Sequence, residues 1–494
     1  MVVMATISDR VHRATAPRNL LILMSDEHNP LVMGHAGHPE VSTPHLDALA
    51  RSGTRFVNAT CASPICVPTR AALATGRPLF ETGYWDNCDA YDGRIPSWHH
   101  ALRRSGHEVV SIGKLHYRGW EGDDYGLTQS VLPMHIHGGR GETKMLLRDP
   151  PASLGDGSGL LNSARAGESD YTRYDQQITD RAVDWLQSRE HGRSGDQPWV
   201  LMVNLVAPHF PLTAPEPFFN IYRDRPLRLP KHYCFGIDER AHPFLQQYAR
   251  VSGYNLHFKT EADVRRALCG YYGLVSYLDH QIGRILQALT QSGLRDSTRV
   301  MYLSDHGDNA GARGLWGKST MHVESAGIPM ILSGFGVAPG KIEHAAVSHI
   351  DLYTTVLDAV GVAQSASTAS SHSRSLLQPL DPDRVVLSEY HTVGSKAAVF
   401  MIQDARTKYI HYVDHPPQLF DLANDPEEVH DLASSTGARD RLVQWEARLR
   451  QWCDPDDVDR RAKQRQRELV EHYGGEAAIR TGQSIGGYTP SPVR

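Results

Sequence analysis

Short apolar runs that end in polar residues recur along this chain. Strands covered on both faces of a parallel sheet are nearly continuous in Val, Ile, Leu and Met instead of alternating with polar residues. Five segments have this form: residues 19–24, 108–112, 199–205, 299–304 and 328–332. Between them lie stretches with apolar residues at helical spacing, the longest over 262–292. Strands that alternate with helices predict an α/β fold.

The pattern changes after the Ser-rich run that begins at residue 364. Three later segments, at 385–390, 397–403 and 408–413, alternate apolar and polar residues as short antiparallel strands do. We therefore predict a large mixed, mostly parallel sheet flanked by helices, with a smaller C-terminal antiparallel α+β domain. The predicted divisions are an N-terminal extension (1–18), a large domain (19–363), a linker (364–384) and a small domain with an extended tail (385–494).

Acidic residues and a histidine directly follow two of the predicted strands. Asp26 and Glu27 come after the first, and Asp305 and His306 come after the fourth. Ligands of open α/β sheets bind beside the carboxyl ends of strands. Carboxylate oxygens and imidazole suit a hard divalent cation. The pattern therefore predicts a metal site, although a helix cap or a solvated turn would also explain Asp26 and Glu27.

Basic side chains follow the second, third and fourth predicted strands. Lys114 and His116 alternate along an extended segment, so they point to the same side, where they could bind an anionic ester. His209 follows the third strand, and Lys318 lies shortly after the fourth. Taken alone, each of these residues would more often be a surface or packing residue. The segment 119–175 is rich in Gly, Asp and Pro, and we predict mostly loop bordering the active site.

The segment Cys66-Val-Pro68-Thr-Arg70 holds a thiol, a proline and an arginine within five residues, and a helix-like sequence follows. Pro68 suits the first turn of a helix because it needs no amide donor there. A nucleophile at a helix N-terminus benefits from the positive end of the helix dipole. Arg70 can hold an oxyanion in a bidentate fork. A buried structural cysteine is the alternative interpretation of Cys66.

Composition narrows the possible partners and the compartment. The 494 residues carry a formal net charge of −5, which argues against nucleic-acid and anionic-membrane binding. The 6 cysteines show no paired metal spacing and fit a reducing compartment. No targeting segment or membrane-spanning run is present in the sequence, so we predict a cytoplasmic protein without membrane contact.

The whole run from Cys66 to Arg77, C-V-P-T-R-A-A-L-A-T-G-R, resembles the signature of the type I sulfatases of the alkaline phosphatase superfamily. Further motifs resemble that family between residues 19 and 435, including G-K-L-H at Lys114 and L-F-D-L-A-N-D-P-E-E at 419–428. The resemblance implies that residues 19–363 form a catalytic sulfatase domain. It also implies that Cys66 is oxidised to Cα-formylglycine by a formylglycine-generating enzyme.

The resemblance also implies roles for individual residues. The implied metal ligands are Asp26, Glu27, Cys66, Asp305 and His306, although Glu27 replaces the second Asp of the family's pair. The implied catalytic residues are Cys66, Arg70, Lys114, His116, His209 and Lys318. Substrate contacts are expected from Asn87, and from Glu389 at a position where choline sulfatases carry pocket residues. We predict one divalent metal ion. Ca²⁺ is the first choice, and Mg²⁺ and Mn²⁺ are the alternatives.

The implied reaction is hydrolysis of a small-molecule sulfate monoester through the gem-diol of formylglycine. A phosphonate monoester or phosphodiester hydrolase on the same scaffold is the alternative, since it would share the nucleophile and the metal. A non-catalytic binding protein of the same fold is a more remote alternative. The choline, aryl, alkyl and sugar alcohols all remain open, and we expect a homo-oligomer, either a dimer or a tetramer.

Overall fold

A computed structural model describes residues 17–153, 155–189, 197–363, 370–482 and 489–492. Nearly all of the predicted N-terminal extension, and the Ser-rich start of the predicted linker, lie outside the described residues. The strands, in chain order, are β1 (Asn19–Asp26), β2 (Gly53–Phe56), β3 (Ala59–Thr60), β4 (Val109–Lys114), β5 (Gln129–Met134), β6 (Arg165–Ala166), β7 (Val200–Pro208), β8 (Thr213–Ala214), β9 (Thr298–Ser304), β10 (Met330–Ser333), β11 (Lys341–Glu343), β12 (Val347–Ser348), β13 (Val386–Tyr390), β14 (Val399–Gln403), β15 (Thr407–Tyr412) and β16 (His415–Asp421).

Helices cover both faces of the main sheet, and further helices follow β16 in the chain. They are α1 (Pro44–Arg51), α2 (Cys66–Thr75), α3 (Leu79–Thr82), α4 (Trp98–Arg104), α5 (Ser158–Asn162), α6 (Asp170–Gln187), α7 (Glu216–Arg223), α8 (Pro243–Ser252), α9 (Glu261–Gln291), α10 (Val323–Ala326), α11 (Asp351–Val360), α12 (Ala438–Arg450), α13 (Pro455–His472) and α14 (Glu476–Thr481). The 31-residue helix α9 begins at a capping box, in which Thr260 and Asp263 satisfy each other's backbone amides.

The main sheet has eight strands in the order β11-β2-β10-β9-β1-β7-β4-β5. The strands from β9 to β5 run parallel, whereas β10 is antiparallel to both of its neighbours. The apolar runs predicted as strands occupy its centre, where Leu20, Leu21, Ile22 and Leu23 are fully buried. The predicted mixed, mostly parallel sheet flanked by helices is confirmed.

A second sheet, of four antiparallel strands in the order β13-β14-β15-β16, follows the main one in the chain. It confirms the predicted small antiparallel sheet and adds β16, which lies within the segment noted for its L-F-D-L motif. Helix α12 packs Trp445 and Leu449 into the core of this sheet.

Two predictions concern irregular segments. The described residues of 119–175 are mostly loop, as predicted, although the segment also contains β5, α5, β6 and the first turns of α6. Strand β5 is a partly exposed edge strand that contains Pro133, so it lacks a continuous apolar run. Residues 455–472 and 476–481 are not an extended tail, because they form α13 and α14. Gln466 of α13 donates hydrogen bonds to Asp86 Oδ2 (3.0 Å) and to the His391 carbonyl (2.7 Å) of the same chain.

Candidate active site

Four neighbouring strands deliver the candidate residues to one edge of the main sheet. Strands β9, β1, β7 and β4 are adjacent and parallel, so their carboxyl ends lie together. Asp26 and Lys114 are the last residues of β1 and β4, and His209 and Asp305 directly follow β7 and β9. This is the edge at which open α/β sheets bind their ligands.

Four residues predicted as metal ligands converge at this edge. Asp26, Cys66, Asp305 and His306 each offer one ligand atom, and these atoms all lie within 4.8 Å of one another. The four residues come from β1, α2 and the segment after β9, and all are buried. His306 Nδ1 donates to the Gly307 carbonyl at 3.0 Å, which leaves Nε2 as the acceptor. Two carboxylates and an imidazole acceptor fit a divalent cation.

Cys66 is the first residue of α2, and all ten residues of this helix are buried. Its Sγ lies 3.1 Å from His306 Nε2 and 3.7 Å from Asp26 Oδ1. The amide of Val67 donates to Asn87 Oδ1 at 3.3 Å, so the predicted substrate residue Asn87 contacts the first turn of the nucleophile helix. Burial raises the pKa of the Cys66 thiol to about 12, which opposes thiolate chemistry by the unmodified side chain.

Two cations neutralise the carboxylates of this cluster. Arg70 Nε and Nη2 each lie 2.9 Å from Asp305 Oδ2, and Nη1 donates to the Lys114 carbonyl at 2.6 Å. Lys114 Nζ contacts Asp26 Oδ2. Burial alone would raise the pKa of Asp305, but His306, Arg70 and Lys114 hold it well below its usual range. Arg70 and Lys114 therefore lie against the predicted metal ligands.

Glu27 connects two further predicted catalytic residues. Its Oε2 lies 3.0 Å from Lys318 Nζ and 3.3 Å from His209 Nε2, while Oε1 is buried without a hydrogen-bond partner among the described residues. A second group of potential metal ligands contains Asp26, Glu27 and His209. Glu27 therefore sits between the predicted metal ligands and Lys318, which lines the cavity. Burial raises the pKa of Glu27, and Lys318 opposes that shift.

His116 stands out because it is buried and unpaired. Within the described part of the chain, neither of its ring nitrogens has a hydrogen-bond partner. Its side chain lines the cavity above Cys66. Burial lowers the pKa of His116, and the neighbouring charges of Lys114 and Arg70 lower it further, so the ring is neutral at pH 7.

A cavity of about 630 Å³ opens above the cluster and reaches Glu27, Cys66, Asn87, His116 and Lys318. This volume lies in the range of small-molecule sites. Its outer wall includes residues that the sequence analysis did not single out: Ile136, Met145, Leu160, Phe210, Tyr248 and Tyr254. These residues come from loops and short helices whose position depends on tertiary packing. The composition of 119–175 correctly indicated a segment beside the site, but it named no residue.

Glu389 lies elsewhere. Its Oε1 accepts hydrogen bonds from the amides of Leu79 (2.8 Å) and Phe80 (3.3 Å), at the start of α3. His391 lies 3.2 Å from its Oε2. Glu389 is buried and does not line the cavity. The structure thus places this predicted substrate residue at a helix N-terminus, where a carboxylate is stabilised by the free amides.

Within the part of the chain that the structure describes, no helix has both the length and the apolar character that a membrane span needs.

The Sulfatase family model matches residues 18–362, and the model for the C-terminal region of N-sulphoglucosamine sulphohydrolase matches residues 311–453. A choline-sulfatase of Rhizobium meliloti (strain 1021) is 31% identical over 433 residues, which cover 85% of this chain and 83% of that protein. Arylsulfatase K of Danio rerio is 30% identical over 440 residues, covering 84% and 80%.

Solved structures share the fold. The phosphonate monoester hydrolase of Silicibacter pomeroyi superposes with a TM-score of 0.70 at 22% identity, covering 88% of this chain and 94% of that chain. At this identity the likeness concerns the fold alone. The family match covers the main sheet and every residue of the converging cluster. The chain belongs to the sulfatase family of sulfuric ester hydrolases.

Proposed function

We propose that this protein hydrolyses small-molecule sulfate monoesters to an alcohol and sulfate, using a formylglycine made from Cys66 and one divalent metal ion. The observation that carries the proposal is the convergence of Asp26, Cys66, Asp305 and His306 at the edge of the sheet. A hydrated formylglycine would supply the hydroxyl that attacks sulfur. The formylglycine-generating enzyme is the partner that this chemistry needs.

The metal would be held by Asp26, Asp305 and His306, together with the side chain at position 66. Their oxygen and imidazole donors suit Ca²⁺, Mg²⁺ or Mn²⁺. Bound there, such an ion would favour the deprotonated form of a hydroxyl and neutralise negative charge on the transferring group.

The remaining site residues would bind the ester and move protons. Lys318 lines the cavity and carries a full positive charge, because the negative groups around it outweigh the effect of burial on its pKa. Lys318, with Arg70 and Lys114 behind it, would stabilise charge that develops on the sulfo oxygens. His116, which is neutral and has no ring hydrogen bond to any described residue, would exchange a proton at the cavity wall, and His209 is the second candidate.

The experiment is production of the full chain with and without a formylglycine-generating enzyme, followed by peptide mass spectrometry of residue 66. We expect the aldehyde at Cys66, and aryl sulfate hydrolysis in proportion to the modified fraction. The matched control is Cys61→Ser, since Cys61 is also buried but lies outside the ligand cluster. Full activity with unmodified Cys66 would contradict the proposal.

The same preparation tests the metal and the alternative reaction. Dialysis against a chelator should abolish hydrolysis, and adding Ca²⁺, Mg²⁺ or Mn²⁺ separately should identify the ion that restores it. An aryl phosphonate monoester is assayed in parallel. A kcat/KM for the phosphonate above that for the sulfate would replace the proposed function by phosphonate monoester hydrolysis.

A further inference from the structure

A buried cluster of charges joins the small sheet to the segment after β9, far along the chain from the catalytic cluster. We call residues 305–323 the catalytic loop, because they carry Asp305, His306 and Lys318. The charged cluster contains Glu428, which follows β16, and Lys408 of β15. Both side chains are almost completely buried.

Glu428 and Lys408 bind the end of the catalytic loop directly. Glu428 Oε2 accepts from His322 Nδ1 at 2.9 Å and from the Val323 amide at 3.1 Å. Lys408 Nζ donates to the Met321 carbonyl at 3.1 Å and lies 2.5 Å from Glu428 Oε1. Three consecutive residues of the loop are thus held by one ion pair, three positions after Lys318.

A second set of contacts holds the middle of the same loop. Arg313 Nη2 donates to the carbonyls of Glu427 (3.1 Å) and Glu428 (2.9 Å), and Arg313 Nη1 lies 3.0 Å from Glu324 Oε2. Lys231 lies 2.6 Å from Glu324 Oε1. The backbone at both Arg313 and Glu428 has φ of 56°, in the left-handed region. Such conformations persist only where the surroundings fix them.

Burying this charged cluster costs more free energy than burying an apolar contact would. Burying charges is unfavourable unless they are paired and hydrogen-bonded, and an apolar contact would join the two parts of the molecule as firmly. Charged groups differ from an apolar contact in being directional, because each of their hydrogen bonds requires a defined geometry. The cluster therefore fixes the position of the loop as well as its attachment.

We propose that Glu428 and Lys408 are positioning residues for catalysis: they hold the catalytic loop so that Lys318 stays at the cavity wall beside Glu27. The small sheet thereby acts on the reaction without contacting the substrate. The kinetic part of this inference rests on the proposed sulfate ester hydrolysis, whereas the placement of the loop does not.

The test is Glu428→Gln in the full chain, a substitution that keeps the size and removes the charge. Backbone amide hydrogen exchange in residues 307–323 reports the loop directly. We expect exchange there to accelerate at least tenfold, KM for an aryl sulfate to rise at least threefold, and kcat/KM to fall at least tenfold. If this variant does not fold, His322→Ala removes one loop contact and should shift all three measurements in the same direction by less.

The matched control is Glu446→Gln. Glu446 Oε2 accepts from Tyr409 Oη (2.7 Å) and lies 2.9 Å from His411 Nδ1, on the face of β15 opposite Lys408. Glu446→Gln should leave amide exchange in the catalytic loop, KM and kcat/KM within twofold of the wild-type values. The inference is overturned if Glu428→Gln leaves loop exchange or KM unchanged, or if both variants act equally. If the wild type hydrolyses no ester, that result contradicts the proposed function alone. The effect of Glu428→Gln on amide exchange in the loop then decides whether Glu428 positions the loop.

Discussion

At the scale of single residues, the site uses backbone conformations that most side chains avoid. Glu27 and His116 have φ of 68° and 54°, directly after β1 and two residues after β4. A non-glycine residue in this region costs about 1–3 kcal/mol. In return, the chain turns sharply at the end of each strand, and both side chains line the cavity. Neither conformation follows from a hydrophobic pattern.

Lys318 gives the first prediction at this scale. Lys318→Ala should lower kcat/KM for an aryl sulfate by about 10²–10³-fold, the usual cost of removing one group that stabilises transition-state charge. Steady-state kinetics on fully modified protein measures the change. Lys341→Ala is the control, because Lys341 pairs with Glu343 (2.8 Å) on an exposed edge strand. A decrease in kcat/KM of less than threefold for Lys318→Ala would contradict a role for this lysine in the reaction.

The sequence indicated the residues that follow apolar runs. Asp26, Lys114, His209 and Asp305 could be predicted because a strand end in a parallel sheet has a defined place. The interactions of Glu27 and Glu389 could not be predicted, since both depend on side chains that approach from distant elements. A family motif indicated the neighbourhood of Glu389, but its carboxylate binds the amides of α3 instead.

At the scale of secondary-structure elements, the contact between β15 and the catalytic loop should depend on pH. Burial alone would raise the pKa of Glu428 from its ordinary 4.5, but Lys408, His322 and Arg313 outweigh burial and hold it well below that value. Glu324, which pairs with Arg313 and Lys231, and Glu427, which lies 3.8 Å from Lys231, are further acidic groups beside the cluster. A carboxylate with a lowered pKa in the folded state stabilises the fold above the unfolded-state pKa. That stabilisation is lost as pH falls toward the folded-state pKa.

Glu428→Gln should therefore lower the free energy of unfolding by about 3–5 kcal/mol at pH 7, as expected when a buried ion pair is broken. At pH 4 this difference should be smaller by about 0.8 kcal/mol, because Glu428 is then largely protonated in the unfolded chain. Urea denaturation at both pH values measures it. Glu261→Gln, in the exposed pair with Arg265, should stay within about 0.5 kcal/mol. A difference that grows at low pH would contradict the assigned charge of Glu428.

Elements differ in how well their pattern predicted them. The central strands and α9 are long or strongly apolar, so their burial is evident in the sequence. Helix α13 was missed because only a few of its residues are apolar, and it is held largely by polar contacts such as those of Gln466. Strand β5 was missed because an edge strand needs apolar residues on part of its length only.

At the scale of the whole molecule, one arginine joins three distant parts of the chain. Arg148 Nε donates to the Ser395 carbonyl at 2.9 Å, Nη1 donates to Gln466 Oε1 at 3.3 Å, and Nη2 lies 3.5 Å from Asp459. Arg148 therefore links the segment before α5, the loop after β13 and helix α13. The fold class was predictable from the strand pattern, but these contacts of Arg148 between distant segments of the chain were not.

Arg148→Ala should lower the free energy of unfolding by about 2–4 kcal/mol, because it leaves buried acceptors without their donor. Chemical denaturation followed by circular dichroism measures the loss. Arg460→Ala is the comparison, since Arg460 lies on the exposed face of α13 and pairs with Asp457 one turn before it. If both variants lose the same free energy of unfolding, the contacts of Arg148 do not stabilise the fold more than an exposed ion pair does.

The burial of α2 determines when the proposed conversion of Cys66 could take place. Cys66 exposes 2% of its surface, and every residue of α2 is covered. A second enzyme could reach this thiol only while the segment is still extended, during or shortly after synthesis. Under the proposed function, conversion of Cys66 to formylglycine would compete with folding, and slower translation should raise the converted fraction. Protein that folds first would keep its thiol, regardless of how much formylglycine-generating enzyme is supplied later.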